Sequence, residues 1–133
     1  MTPLGTLGGD PTLPHAINQR GQVVGSSRTA SGDLHGFLWQ AGVMIDLGTL
    51  GGPFSVGNSI NESGQVVGSS RTSGGMMHGF MWERGVMTDL GTLGGDNSVA
   101  FRINDAGTMM GNCEVLGGIR HACLWEKRQP SAP

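Results

Sequence analysis

Leu47-Gly48-Thr49-Leu50-Gly51-Gly52 decides how this chain is read. The same six residues stand at Leu4 to Gly9 and again at Leu90 to Gly95, 43 residues apart each time with no insertion or deletion. The rest of the chain keeps this register. Ile17-Asn18 recurs as Ile60-Asn61 and Ile103-Asn104, and Gly21 to Gly25 recurs as Gly64 to Gly68 and more loosely as Gly107 to Gly111. His35, Phe37 and Trp39 recur as His78, Phe80 and Trp82, then as His121, Cys123 and Trp125. A fixed period of this length, built from short apolar runs, marks a repeat architecture with one supersecondary unit per period. The repeats run over about residues 10–52, 53–95 and 96–128, with 129–133 as a tail.

Within one period the pattern is that of strands. In the second repeat, Ser55 to Asn61 carries apolar Val56 and Ile60 at even spacing. Asn61-Glu62-Ser63-Gly64 is turn chemistry, and Gln65 to Ser70 holds Val66 and Val67. Arg71 to Met77, with Ser73-Gly74-Gly75, reads as a longer variable loop. His78 to Glu83 alternates, with His78, Phe80 and Trp82 on one face. Arg84-Gly85 turns the chain into Val86 to Leu90. No stretch keeps a 3.6-residue pattern, and Gly interrupts every helical candidate. Each period is therefore expected to hold four short antiparallel strands, a to d, with the six-residue motif as the crossover from d to the next a.

Composition agrees. The 133 residues include 25 Gly, four Phe, three Trp and no Tyr, which suits tight turns between short strands. The net charge is −2 with no basic stripe, so a nucleic-acid surface is not expected. No apolar run has membrane-spanning length. The start, Met1-Thr2-Pro3-Leu4-Gly5, has neither the charged nor the apolar region of a secretory signal. The expected location is cytoplasmic unless the chain is a fragment of a longer secreted protein. Cys113 and Cys123 replace Ser and Phe of the repeat template, and free thiols are expected there, with a bridge as the other option.

Asp-Leu-Gly-Thr-Leu-Gly-Gly, then Ile-Asn, Gly-Gln-Val-Val-Gly and His-Gly-Phe-Leu-Trp together resemble the HAF repeat, a bacterial repeat often described as extracellular. Its name refers to His-Ala-Phe; this chain has Gly36, Gly79 and Ala122 at the middle position, and Cys123 replaces the third Phe. The resemblance covers nearly the whole chain. It implies a blade-like unit in proteins that often carry many such repeats, and it implies no activity. The absence of a signal sequence departs from the extracellular label.

Two all-β architectures fit four strands per period. One is a β-propeller with one four-stranded blade per repeat; the other is a β-trefoil monomer, which closes with three repeats. The open-ended repeat number that the resemblance implies favours the propeller, as do the Gly-punctuated four-stranded units. Three blades are too few to close a propeller. In the third repeat, Gln129 to Pro133 stands where a strand d is due, and its two prolines remove ladder donors. Met1 to Leu4 matches the end of a strand d. A head-to-tail homodimer of six blades is thus expected, with residues 1–4 of each chain supplying a closing outer strand to the other.

The chemistry is less legible. His35, His78 and His121 invite a metal reading. On strand c of separate blades, however, they cannot converge on one ion. A ring packed beside Trp and hydrogen-bonded to backbone or to Asp46 or Asp89 is the preferred reading. No metal and no cofactor is expected. The Gly-rich motif lacks the lysine and following helix of a phosphate loop. Asn61-Glu62-Ser63 matches a glycosylation acceptor and is discounted, because the corresponding turns lack it. Scaffold positions agree between repeats, whereas the middle of strand a diverges: Pro14-His15-Ala16, Gly57-Asn58-Ser59 and Ala100-Phe101-Arg102. In a propeller, strand a lines the axial channel. His15, Asn58, Ser59, Phe101 and Arg102 are therefore the candidate ligand-binding residues, with His15 and Arg102 as candidate catalytic ones. Met76, Met77, Met109 and Met110 could add an adaptable apolar wall. The bland reading of the same positions is drift in a wet channel.

The sequence thus points to a homo-oligomeric propeller binding a small ligand at its axis. An enzyme on the same scaffold is the alternative, with acid/base chemistry such as that of a cyclase, lyase or isomerase. A protein-interaction scaffold using the b–c loops is a third reading.

Overall fold

Every residue of the Leu-Gly-Thr-Leu-Gly-Gly motif has a structural role in the computed structural model, which describes residues 1–126. Leu47 is buried in the apolar core. Gly48 and Gly51 take φ of +80° and +114°, values that only glycine adopts without strain. Thr49 Oγ1 accepts from Gly51 N at 3.1 Å, while Leu50 N donates to Ser70 Oγ at 2.8 Å. At Gly52 a Cβ would stand 2.6 Å from that of Arg71, so no larger residue fits. The motif is a fitted crossover, which is why it does not vary.

The described residues are all-β. The first repeat forms β1 (Gly8–Ile17), β2 (Val23–Thr29), β3 (Leu34–Gln40) and β4 (Val43–Gly48). The second forms β5 (Gly51–Ile60), β6 (Val66–Thr72), β7 (Met77–Glu83) and β8 (Val86–Asp89). The third forms β9 (Gly94–Ile103), β10 (Met109–Val115) and β11 (Arg120–Trp125). Each repeat is an antiparallel meander, and a single parallel bridge, Leu34 to Phe54, joins the first two. The four-strand expectation therefore holds in the first two repeats. The expectation that the third repeat lacks a fourth strand falls on Gln129 to Pro133, outside the described residues. Residues 1–6 form no strand; Leu4 is half-buried and shares a cleft with Phe37. The sheets do not close on themselves, so the closed three-fold unit of the trefoil alternative is not formed by the described residues.

Local chemistry sets the turns. Ala41-Gly42 and Arg84-Gly85 join strands c and d with positive φ at both residues, the two-residue hairpin that matches strand twist. In the a–b turn, Asn61 Oδ1 accepts from Ser63 N and Gln65 N, and its amide donates to Gln65 Oε1 at 2.6 Å. Asn18 and Gln22 make the same bonds. These four polar side chains are buried, and all are satisfied. The b–c loops are shorter than the sequence suggested. Arg71, Thr72 and Met77 lie on strands, leaving residues 73–76 as the loop.

The core forms between consecutive meanders. Val24, Leu38 and Leu47 of the first pack against Ile60, Val66, Phe80 and Trp82 of the second. Val67 and Met81, on the other face of the second, pack with Ala100, Ile103, Met109 and Trp125 of the third. Phe37, Phe80 and Trp82 are buried as the alternating pattern predicts, whereas Trp39 and Trp125 are half-buried. Trp125 Nε1 donates to Leu90 O at 3.0 Å.

The expectation of free thiols is corrected. Cys113 on β10 and Cys123 on β11 form a disulfide, their Cα atoms 5.9 Å apart. Gly111 pairs with Cys123 and Cys113 with His121, so the two cysteines are diagonal neighbours on one face. Cys113 replaces the template Ser70, whose hydroxyl accepts Leu50 N. Without that hydroxyl, Leu93 N donates to Glu114 O instead. The third repeat has exchanged a buried Phe and a Ser hydrogen bond for a covalent tie between β10 and β11.

Candidate functional site

The divergent middle of strand a coincides with a β-bulge in all three repeats. Pro14 pairs with Gly25 and Ala16 with Val24, leaving His15 as the extra residue. Asn58 and Phe101 are the extra residues of β5 and β9 by the same register shift. A bulge re-aims the inserted side chain and breaks the ladder locally. Its sequence signal is the Gly opposite. At Gly25, Gly68 and Gly111 any Cβ would overlap the carbonyl oxygen of Leu13, Val56 or Val99.

The five candidate residues are not gathered into one site within the chain. Asn58 Nδ2 donates to Ala100 O at 2.9 Å, and Ser59 Oγ accepts from Ile103 N at 3.3 Å. Both residues thus tie the second repeat to the third. His15, Phe101 and Arg102 are exposed, and Arg102 Nη1 donates to Phe101 O. Among the described residues no hydrogen bond joins His15 to Arg102.

The periodic histidines are structural where the structure describes their partners. His35 Nδ1 lies 2.9 Å from Asp46 Oδ1, and His78 Nδ1 lies 2.9 Å from both carboxylate oxygens of Asp89. His78 Nε2 is 3.1 Å from Asp96 O, so the ring bridges strand d and the following strand a. His121 is exposed, and its template partner position, Ala132, is outside the described residues. Among the described residues no group of three or more His, Cys, Asp or Glu is arranged to hold a metal ion. Asn61, the residue of the glycosylation match, is buried with its amide bonded.

Two surfaces stand out by comparison within the chain. Ile60 and Ile103 are 8% and 9% exposed, but Ile17 at the same template position is 69% exposed. Val24 and Val67 are fully buried, but Met110 is 50% exposed; Leu38 is 3% exposed and Leu124 64%. The leading face of the first repeat and the trailing face of the third are the two halves of the inter-repeat contact, and among the described residues neither is covered as its counterparts are.

One further site escaped the sequence reading. A cleft of about 300 Å³ opens between the second and third repeats, lined by Arg71, Met77, Asn97, Phe101, Asn112, Glu114 and Arg120 among others. The detectable signal was the departure from template at 97, 114 and 120.

No family model, curated protein or solved structure matches this chain.

Proposed function

We propose that the chain is a HAF-type repeat protein that assembles head to tail into a β-propeller and binds a small ligand at the axis. Two copies give six blades, the smallest symmetric closure. The carrying observation is the pair of bare faces. Ile17 and half-buried Trp39 lead the first repeat; Met110 and Leu124 trail the third. The positions of Ile17 and Met110 are deeply buried at both internal junctions, and that of Leu124 is deeply buried at the first, as Leu38, and half-buried at the second, as Met81.

The polar pattern of the internal junctions supports the same assembly. Asn18 Nδ2 donates to Asn61 O, and Asn61 Nδ2 to Asn104 O, both at 3.0 Å. Asn104 is exposed; its Oδ1 accepts Thr108 N, but its Nδ2 reaches no acceptor among the described residues, and in the ring it donates to Asn18 O of the next copy. Gly36 N donates to Ser55 Oγ and Gly79 N to Ser98 Oγ, while those hydroxyls donate to Gly48 O and Gly91 O. Thr12 Oγ1 already donates to Gly5 O, and a hydroxyl keeps lone pairs to accept Ala122 N of the preceding copy. Leu4 stands to Phe37 as Leu47 stands to Phe80, in keeping with residues 1–4 being the end of a neighbouring copy's outer strand.

In that ring the bulged strands a surround the axis, and His15, Phe101 and Arg102 of both copies face it. Asn58 and Ser59 hold the spacing of the strands. The pairing of an imidazole with a guanidinium suits a small anionic ligand. Sedimentation tests the assembly: the full-length protein is expected at twice the mass of one chain, and Leu124→Glu at the mass of one. A wild-type protein that sediments as a compact monomer at micromolar concentration overturns the proposal.

A further inference from the structure

We propose that the cleft between the second and third repeats is a second ligand site, for a small monocarboxylate with an N–H donor and an apolar side chain, such as an N-acylated amino acid. The inference rests on one chain alone and does not depend on the ring.

The two internal junctions share a backbone plan but not a lining. Beside Leu34 at the first junction stands Phe54, bonded to it in register. Beside Met77 at the second stands Asn97, whose Oδ1 accepts Met77 N at 2.9 Å. Replacing a Phe by an Asn removes most of an aromatic ring's volume from the junction. The neighbours change with it. Ser69 becomes Asn112, Arg71 becomes Glu114, Met77 becomes Arg120 and Asn58 becomes Phe101, moving one repeat along. The third repeat departs from the second at many other positions too, among them Ala100, Thr108 and Leu116, but these five departures meet around one opening.

The new groups are held, and among the described residues neither guanidinium is spent on the carboxylate. Asn97 Nδ2 lies 3.2 Å from both oxygens of Glu114, which fixes the carboxylate in the cleft. Arg71 Nη1 donates to Gly75 O, as Arg28 Nη1 does to Gly32 O, so its stem is braced while its remaining N–H groups stay available. Among the described residues neither Arg71 nor Arg120 forms an ion pair, although Glu114 lines the same cleft. Two guanidiniums and one carboxylate leave a surplus of one positive charge. A single ligand carboxylate balances it, and guanidinium donors recognise carboxylates with charge-assisted hydrogen bonds. Glu114 accepts an N–H from the ligand. Phe101 and Val99 supply the apolar wall, and the cleft's volume is at the lower end for ligand sites, which suits a body the size of one amino acid.

The test is calorimetric titration of the full chain with N-acetyl-phenylalanine and with its uncharged amide. The acid is expected to bind at least about tenfold more tightly than the amide, the value of one charge-assisted hydrogen bond. Arg120→Met and Asn97→Phe each restore the residue that the preceding repeat carries at that place, so the fold is expected to accept them. Both are expected to weaken the acid by about tenfold or more. Equal affinity for acid and amide, no heat with either ligand, or unchanged affinity in Arg120→Met overturns the proposal. Arg120→Met lies on an exposed stretch and keeps the test decisive if Asn97→Phe does not fold.

Discussion

The side-chain amide of Asn18 hydrogen-bonds the backbone carbonyl of Asn61, its own counterpart one repeat later, at 3.0 Å. Asn61 repeats the bond to Asn104. One residue type therefore builds the turn of its own repeat and fastens the next. Asn61→Ala removes both functions and strands a buried partner at Gln65. The expected loss is about 3 kcal/mol by urea denaturation. Asn104→Ala, whose amide reaches no acceptor among the described residues, is expected to lose less than about 1 kcal/mol in dilute solution.

Trp82 is sandwiched between the first and second repeats, and Trp82→Ala is expected to destabilise the protein by about 3–5 kcal/mol. Trp39 occupies the same template position and is only half-buried. Its truncation is expected to be milder at low protein concentration. The gap should narrow as concentration rises and a second copy covers the ring. A denaturation midpoint for Trp82→Ala that matches wild type would contradict the placement.

The disulfide between Cys113 and Cys123 spans 10 positions of chain and ties β11 to β10. Reduction is expected to lower stability by about 2–3 kcal/mol and the melting temperature accordingly. The double variant Cys113→Ser, Cys123→Phe carries the residues of the second repeat. It should recover much of that loss and become indifferent to reductant. A melting temperature insensitive to reductant in the wild type would deny the bond a structural role.

At the proposed axis, His15→Ala and Arg102→Ala should abolish binding of the channel ligand while leaving the denaturation midpoint within about 0.5 kcal/mol of wild type, since both side chains are exposed. Arg28→Ala, on β2 away from the His15 bulge, should do less. Equal and negligible effects of all three would favour drift over function.

The sequence told most about what repeats. The period, the strand order within it, the alternation of His78, Phe80 and Trp82 and the crossover role of the Gly-rich motif were all legible. Each depends on local backbone chemistry or on a face with a fixed side. The bonding of His35 to Asp46 and of His78 to Asp89 was legible as well, because the c–d hairpin brings those positions together. What stayed hidden depends on register between strands. The bulges at His15, Asn58 and Phe101 follow from an offset of one residue against the b strand, and only the opposing Gly hints at it. The disulfide needed the diagonal relation of Cys113 to Cys123 across β10 and β11. The cleft needed the knowledge that 97, 112, 114 and 120 converge, although they lie on three strands.

The amides of Asn18 and Asn61 point the same way along the stack, and that gives the molecule a polarity. Its leading and trailing ends are different surfaces, like the two ends of an actin subunit or a stair tread. Two copies cannot meet front to front through this contact. In the proposed head-to-tail assembly, a chain blunted at one end only, as by Leu124→Glu, would keep its leading face and act as a terminator, joining a wild-type trailing face and stopping there. Mixed with wild type in excess, such a subunit poisons closure of the proposed ring in proportion to its amount, and it does so without being misfolded itself.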